Sequence, residues 1–479
     1  MIDTALIRSK LLEQAVMGEL SVEFDSNVDS LIELREASNR NVVETKNEVP
    51  YELKEGWHWF ALSELGSDDK HSFADGPFGS NLKKEHYTEN AEVRIIQLSN
   101  VGELGWKNEN VRYTTFEHLV TIQRSEVKAG NIVIAKMMPA GRAIIVPDID
   151  EKYVLSSDCV KFVPCEILNT EYLCYAINSS MFRKQVLQDV HGIGRERTSL
   201  SKLKTYLLPI PCRAEQAYIV EKINKAYEQL ASLDILQTQY SSDLEVLKSK
   251  IIDAGIQGKL TEQLQEDGTA EELLEQIVDC QNNMIKAGKI KKPKDIKNIN
   301  IEDIPFEIPN TWKWEKWGNI INVVSARRVH QSDWRKEGIP FYRAREIAKL
   351  AVDGSVENDL FISQELYDEF SIDRVPQPGD LMVSAVGTLG KSYVVKDGDL
   401  FYYKDASVLC FENYGGMNPY YLRYVMQSSL MKNQIESNSG GTTVDTLTMV
   451  RMVQYILPIP PLNEQDRIVS KINEILEIL

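Results

Sequence analysis

Apolar residues between Pro211 and Gly255 recur in alternating steps of four and three, a spacing that places them along one face of a long helix. Gln237 interrupts this stripe. At a rise of 1.5 Å per residue, such a helix would extend for roughly 60 Å. We therefore expect a coiled-coil spacer between two bodies, with a buried core helix of a bundle as the alternative. The stripe comprises Ile219, Ile223, Leu230, Leu233, Tyr240, Leu244, Leu247 and Ile251, and an equivalent stripe near the end of the chain comprises Ile468, Ile472 and Ile475.

The chain contains an internal repeat, which five separate blocks reveal. The clearest pair, LLPIPCRAEQAYIVEKIN and ILPIPPLNEQDRIVSKIN, shares LPIP, EQ, IV and KIN without a gap. The blocks keep one cyclic order, but RSKLLEQAVMGEL stands at the N-terminus while its mate lies in the middle of the chain. The repeat unit is therefore expected to be circularly permuted. The paired ranges are 207–224 with 456–473, 169–180 with 418–429, 128–135 with 377–384, 49–59 with 304–314, and 8–20 with 248–260.

Each copy contains a body large enough to fold by itself. Apolar runs rich in branched residues predict strands at 94–101, 131–138, 143–148, 380–386, 391–397 and 406–411. Two amphipathic segments, 171–187 and 419–435, predict helices. The expected fold class is α+β, with two mixed α/β domains separated by long antiparallel coiled-coil helices and related by a pseudo-twofold repeat.

The predicted domain boundaries follow from these patterns. An acidic stretch at 261–277 predicts a short helix, and the lysine-rich stretch 286–305 predicts a linker whose lysines are more simply explained as a solvated face than as phosphate contacts. The expected parts are an N-terminal helix and polar linker that complete the helical frame (1–50), a first body (51–211), the central helix with the acidic helix and linker (212–304), a second body (305–460) and a distal frame helix (461–479).

The net charge of −17 taken alone argues against nucleic acid as a ligand, because affinity for a duplex rests largely on lysine and arginine. Charge can be segregated, however, and a subunit that contacts bases within a larger complex can leave many phosphate contacts to its partners. The charge therefore indicates partner subunits.

The remaining composition indicates a protein of a reducing compartment. The six cysteines form no CxxC pair and no zinc-like spacing with histidine, which fits the cytoplasm. No run of about 18 uncharged apolar residues appears, and the charged N-terminal stretch argues against a signal peptide and a membrane span.

Three motifs suggest nucleotide binding, methyl transfer or metal binding, but the surrounding sequence disfavours each of these functions. AVGTLGKS (385–392) is a loose P-loop pattern, but a predicted strand follows it where a phosphate-binding helix would be required. NPYY (418–421) is similar to an amino-methyltransferase signature without its second proline, and we expect it to open a helix. Two D-x-D pairs, 148–150 and 397–399, align across the repeat and predict turns rather than a metal site. A self-contained methyltransferase or NTPase and a scaffold without a DNA role remain as alternatives.

Candidate DNA-binding residues lie in loops that differ between the two bodies. Glycine-rich turns can bring backbone amides against phosphate, and arginine can bind guanine through two hydrogen bonds. The first body offers Gly76, Phe78, Gly79, Ser80, Lys83, Lys84, Arg142, Arg195, Arg197 and Ser199. The second body offers Arg327, Arg328, Gln331, Arg335, Lys391, Thr442 and Thr443.

Together, the W-x-W openings, the G-[ND]-[IL] strands and the duplicated LPIP-x-x-x-EQ blocks resemble the specificity subunits of type I restriction-modification systems, over nearly the whole chain. The resemblance implies a non-catalytic subunit in which each body is a target recognition domain for one part of a split sequence in double-stranded DNA. It implies that the helices bind two methyltransferase subunits and that restriction subunits join the complex. The cofactors would then belong to the partners, S-adenosylmethionine to the methyltransferase and ATP with magnesium to the restriction subunit.

Overall fold

The computed structural model describes residues 1–21, 49–188, 197–291, 296–372, 375–437 and 446–479. It divides the chain into two compact units, Met1–Thr238 and Gln239–Leu479. The division falls inside one continuous helix, Arg213–Ile256, which contributes its first part to one unit and its last part to the other. In the described part of the chain, no helix has both the length and the apolar character that crossing a membrane requires.

The first unit combines helices with short strands. Its helices are Thr4–Val16 (α1), Phe116–Thr121 (α2), Thr170–Asn178 (α3), Ser180–Gln188 (α4), Leu200–Leu203 (α5) and the first part of Arg213–Ile256 (α6). Its strands are His58–Ala61 (β1), Phe73–Asp75 (β2), Tyr87–Thr88 (β3), Val93–Ile96 (β4), Val101–Gly102 (β5), Gly105–Trp106 (β6), Tyr113–Thr114 (β7), Glu126–Val127 (β8), Ile132–Ala135 (β9), Ala143–Ile145 (β10), Tyr153–Leu155 (β11), Cys159–Phe162 (β12) and Leu207–Ile210 (β13).

The second unit repeats this mixture after the last part of α6. Its further helices are Ala270–Lys286 (α7), Trp317–Ile320 (α8), Ala344–Asp353 (α9), Gln364–Ser371 (α10), Pro419–Gln427 (α11), Ser429–Ser437 (α12), Met449–Met452 (α13) and Leu462–Ile478 (α14). Its strands are Lys313–Lys316 (β14), Asn322–Ser325 (β15), Ile339–Tyr342 (β16), Phe361–Ile362 (β17), Leu381–Ser384 (β18), Ser392–Val394 (β19), Tyr402–Tyr403 (β20), Val408–Glu412 (β21) and Ile456–Ile459 (β22).

Each unit contains a four-stranded sheet of the same topology, and the second sheet differs between the units. A four-stranded antiparallel sheet has the order β10-β9-β12-β2 in the first unit and the equivalent order β19-β18-β21-β15 in the second. Beside it, the first unit carries a five-stranded sheet, β3-β7-β4-β11-β8, and the second a three-stranded one, β17-β16-β20. The mixed helix and strand content, the predicted strands and the repeat are thus confirmed, and the repeated part is the four-stranded sheet with its flanking elements.

The duplicated motifs form one buried hydrogen-bonded clasp in each unit. The W-x-W strand β1 pairs antiparallel with the LPI strand β13, and β14 pairs in the same way with β22. The glutamate of each EQ pair accepts a bond from a tryptophan indole: Trp57 Nε1 lies 3.0 Å from Glu215 Oε1, and Trp312 Nε1 lies 2.8 Å from Glu464 Oε2. Both glutamates are buried. A buried polar group needs such a partner, so the spacing of these motifs reflects the packing of each body.

The glutamine of each EQ pair fixes the start of a helix. Gln216 Oε1 accepts from the backbone N of Asn169 at 2.8 Å, and Gln465 Oε1 accepts from that of Asn418 at 3.0 Å. These asparagines cap α3 and α11 through their own side chains. NPYY is therefore a helix start, as its sequence predicts.

Each predicted helix after these caps is in fact a pair of short helices, so the prediction of one continuous helix per segment was wrong. Ser179 separates α3 from α4, and Ser428 separates α11 from α12. Both serines are buried with extended backbone, and their hydroxyls donate to the carbonyls of Ala176 and Val425 at 2.6 Å. This local bonding ends the first helix of each pair.

The acidic segment after Gly258 also starts later than expected. The helix α7 begins at Ala270, where Thr269 and Glu272 form a capping box. Residues 261–264 are not helical, and the side chains of Thr261 and Gln263 donate to Glu464. Most of the polar linker predicted within the N-terminal segment 1–50 lies outside the described residues, which omit 22–48.

The predicted apolar stripe of α6 is buried toward its ends and exposed in its middle. Ile219, Ile223, Leu230 and Ile251 are buried, Leu233 and Leu244 are half-buried, and Tyr240 and Leu247 are 61% and 43% exposed. On the distal helix α14, Ile468 and Ile472 are buried and Ile475 is half-buried. The ends of α6 therefore belong to the cores of the two units.

Within each unit, a second helix runs antiparallel to the nearby part of α6. In the first unit, Thr4 of α1 donates to Asp234 at 2.6 Å, and Arg8 binds the same carboxylate at 2.7 Å while lying over the ring of Tyr227. These bonds hold the pKa of Asp234 below its usual value. In the second unit, a Cβ on Gly255 of α6 would lie 2.7 Å from Ile472 of α14, so glycine permits this close approach.

Candidate DNA interface

Two loops singled out in the first body come together around one cavity of about 530 Å³. The first loop follows β2, and the second begins at Arg197, which forms an isolated antiparallel bridge with Met137 just after β9. The predicted residues in the wall are Gly76, Phe78, Gly79, Arg197 and Ser199, and the wall also contains Asp75, Pro77, Lys136, Ser157, Thr198, Leu200 and Lys202.

The first loop carries an exposed aromatic ring on a fixed turn. Phe78 is 82% exposed, whereas Gly76 and Pro77 before it are buried. The backbone N of Gly76 donates to the carbonyl of Cys159 at 3.1 Å, and the backbone N of Asn81 donates to that of Phe78 at 2.7 Å. Backbone bonds on both sides of Phe78 therefore hold the loop.

Gly76 and Gly79 offer a matched test of this loop. A Cβ on Gly76 would lie 1.8 Å from the carbonyl oxygen of Ser156, whereas a Cβ on Gly79 would meet nothing within 4 Å. Gly76→Ala is therefore expected to lower the free energy of unfolding by about 1–3 kcal/mol, because the loop or strand must move. Gly79→Ala should change it by less than about 0.5 kcal/mol. Urea denaturation measures both, and equal stability of the two variants would contradict the close packing.

The wall of the cavity contains an ion pair that sequence reasoning missed. Lys136 Nζ lies 2.6 Å from Asp75 Oδ1, and the Lys136 side chain is 7% exposed while that of Asp75 is 41% exposed. The two residues are 61 positions apart, but both β9 and β2 pair with β12. The sequence did contain one signal for this ion pair. Lys136 directly follows an apolar run, and the second copy has alanine at the equivalent position.

The structure describes two of the three predicted residues of the second loop, Arg197 and Ser199. Ser199 caps the short helix α5 by accepting from the backbone N of Lys202, and Arg197 is exposed. Thr198 is buried, and its hydroxyl has no hydrogen-bond partner among the described residues. Arg195 lies outside the described residues.

The basic residues after the first loop are exposed. Lys83 and Lys84 both face solvent, and Lys83 lies 3.5 Å from Glu85. The backbone N of Lys83 donates to Nδ1 of His86, whose ring stacks on that of His118 at 4.1 Å. Ser80 is exposed and donates to Asn81. These residues do not line the cavity but follow it along the chain.

Arg142, another predicted residue, is engaged inside the first unit. Its Nη1 donates to the carbonyl of Val101 at 3.1 Å, and its Nε lies 3.3 Å from Glu103. Burial lowers its pKa from the usual value for arginine. These contacts assign Arg142 a role in fixing β5 beside the β9–β10 hairpin. Its equivalent in the repeat, Lys391, is exposed.

The candidates of the second unit make separate contacts. Arg327 pairs with Glu369 at 2.9 Å, lies over the ring of Phe370 and lines a cavity of about 560 Å³. Arg335 donates to the backbone carbonyls of Ser332 and Trp334, both at 3.0 Å. Arg328 and Gln331 are exposed. Thr442 and Thr443 lie outside the described residues.

The motifs that suggested enzyme chemistry have structural explanations here. After Lys391, Ser392 begins the strand β19, so no helix follows to cradle phosphate. In the D-x-D turns, Asp150 accepts from Tyr113, and Asp399 accepts from Tyr393 and from the backbone N of Lys396. Among the residues that the structure describes, no group of three or more His, Cys, Asp or Glu side chains is arranged to hold a metal ion.

Comparison with known proteins gives consistent matches. The model of a family described as type I restriction modification DNA specificity domain matches residues 80–238 and 309–478. The EcoAI type I restriction enzyme specificity subunit of Escherichia coli is 24% identical over 552 residues, which cover 98% of this chain and 88% of that protein. The EcoEI specificity subunit of the same species is 24% identical over 392 residues, covering 67% of this chain and 62% of the relative.

A solved structure shares the fold. A chain from work on complex assembly and conformational transition of the type I R-M system superposes with a TM-score of 0.57 at 17% identity, covering 90% of this chain and 92% of that one. The family model spans more than half of the sequence and includes most of both units. This chain therefore belongs to the family of type I restriction-modification DNA specificity subunits.

Proposed function

We propose that the two units read the two separate parts of one bipartite target in double-stranded DNA, and that the chain has no catalytic role of its own. The observation that carries this proposal is the duplication itself. The same four-stranded sheet and the same tryptophan-glutamate clasp recur, while the loops and the second sheet differ. A shared scaffold with different loops suits two readers of different sequences.

The partners of the complex would supply the chemistry. Methylation of adenine with S-adenosylmethionine would belong to two methyltransferase subunits, and hydrolysis of ATP with magnesium to restriction subunits. In this chain, the P-loop-like segment is a hairpin and the NPYY segment is a helix cap. The residues at these motifs thus have local structural roles.

We also propose that the middle of α6 binds a methyltransferase subunit. Tyr240 and Leu247 lie seven residues apart on one side of the helix and are 61% and 43% exposed, and half-buried Leu244 lies between them. Apolar side chains at this spacing are typical of helices that pack against a partner. Their exposure in the single chain supports a surface that assembly covers.

An exchange of recognition bodies tests the bipartite proposal. Replacing 305–460 with the corresponding segment of a relative, such as the EcoAI specificity subunit, is expected to change one half of the methylated sequence and preserve the other. The reciprocal exchange of 51–211 is the matched control and should change the opposite half. Methylated adenines mapped across a host genome give the result. A change in both halves after one exchange would contradict the assignment of one half-site to each unit.

A further inference from the structure

The four-stranded sheets of the two units carry different side chains at two equivalent positions. In the first unit, Asp75 ends β2 and Lys136 follows directly after β9. In the second unit, Ser325 ends β15 and Ala385 follows directly after β18. The pairing registers of the two sheets establish the equivalence. An ion pair in one copy is thus replaced by two small side chains in the other.

The ion pair lies in the wall of the cavity described above. Lys136 is almost completely enclosed, and its ammonium holds one oxygen of Asp75, whose side chain remains 41% exposed. Arg197, from the second loop, lines the same cavity and is exposed. The wall of one cavity therefore contains a fixed hydrogen-bond acceptor and a cationic donor.

Phe78 adds an apolar group in the wall of the same cavity. Its ring is 82% exposed, and the loop around it is held by the backbone bonds of Gly76 and Asn81. An exposed aromatic side chain on a fixed loop can make an apolar contact with the methyl group of thymine in the major groove. The exposed Lys83 and Lys84 follow in sequence and can neutralise phosphate. They provide local positive charge in a chain whose net charge is −17.

We propose that this cavity is the base-reading subsite of the first unit. Phe78 packs against a thymine methyl group in the major groove of the duplex, and Asp75 and Arg197 contact the major-groove edge of the adjoining base pair. A carboxylate accepts from the exocyclic amine of cytosine, and arginine donates to guanine. Lys136 is a positioning residue that fixes the orientation of Asp75. The inference rests on the proposed function and names the residues by which one unit distinguishes its half-site.

The test uses the full chain assembled with its methyltransferase subunits and a panel of duplexes that change one base pair at a time. Asp75→Asn keeps the shape of the side chain but replaces a carboxylate oxygen with an amide donor. It is expected to lose about tenfold in discrimination at a single base pair of the first half-site. Phe78→Ala is expected to lose about tenfold in affinity for the target. Val120→Ala, at an apolar position 74% exposed in the same unit, is the matched control and should bind normally.

A double variant tests the same subsite without leaving Lys136 unpaired, so a loss of discrimination cannot be attributed to misfolding. Asp75→Ser combined with Lys136→Ala installs the residues of the second unit and leaves no buried ammonium without its partner. It should lose discrimination at the same base pair while the second half-site stays unchanged. A folded variant of either kind with the native preference at every position would overturn the subsite. A native complex without any sequence preference would instead overturn the proposed function.

Discussion

Glu464→Ala is expected to lower the free energy of unfolding of the second unit by about 2–4 kcal/mol. The side chain is buried, and its oxygens accept from Trp312 Nε1 at 2.8 Å, Thr261 Oγ1 at 2.8 Å and Gln263 Nε2 at 2.6 Å. Alanine would leave the buried indole of Trp312 without its acceptor and would remove the bonds from Thr261 and Gln263. Urea denaturation measures the loss of stability. Hydrogen exchange of the backbone amides in β14 and β22 assigns that loss to this unit.

The internal repeat supplies a matched control for this loss. Glu215 occupies the equivalent position in the first unit, where the structure shows a bond from Trp57. Glu215→Ala should therefore cost about 1–3 kcal/mol, less than Glu464→Ala. Glu477→Ala, at an exposed position of α14, should change stability by less than about 0.5 kcal/mol. Equal losses at Glu464 and Glu477 would contradict a stabilising role for the clasp.

Tyr240→Glu and Leu247→Glu are each expected to weaken assembly with the methyltransferase subunit by at least about tenfold, without destabilising the chain alone. Both side chains are exposed in the single chain, so the charge is accommodated there. In the proposed interface the same charge would be desolvated without a partner, which is unfavourable by several kcal/mol. Analytical ultracentrifugation of purified subunits measures the affinity.

The control for assembly adds the same charge to a different side of the helix. Ser242 is exposed and lies two residues from Tyr240, roughly on the opposite side of α6. Ser242→Glu should leave assembly nearly unchanged. If all three variants assemble like the native chain, the middle of α6 is not the docking surface.

The repeat could be predicted from the sequence because its blocks contain the polar groups that each clasp requires. A tryptophan, a glutamate, a glutamine and a capping asparagine must all be kept for every buried bond to be made. The predicted strands of the shared sheet were also correct, since their apolar runs are buried along their whole length. Patterns of this kind are local and can be recognised without knowing the fold.

The contents of the candidate site could be predicted only in part. The glycine-rich loop and Arg197 were identified from residue type, but the ion pair between Lys136 and Asp75 depends on the order of strands in the sheet. The contacts that hold Arg142 depend likewise on Glu103 in a separate turn. The breaks at Ser179 and Ser428 were missed because a serine inside an amphipathic pattern does not by itself mark a helix end.

The distribution of burial along α6 has a consequence for how the molecule can be divided. Between residues 231 and 250, all of them described by the structure, no side chain is buried, whereas Leu230 and Ile251 on either side are. Cleavage of the backbone between Thr238 and Gln239 would interrupt helical hydrogen bonds and uncover little apolar surface. Each fragment would retain its own clasp and its own antiparallel helix pair, so we expect the two halves to fold when they are produced as separate chains.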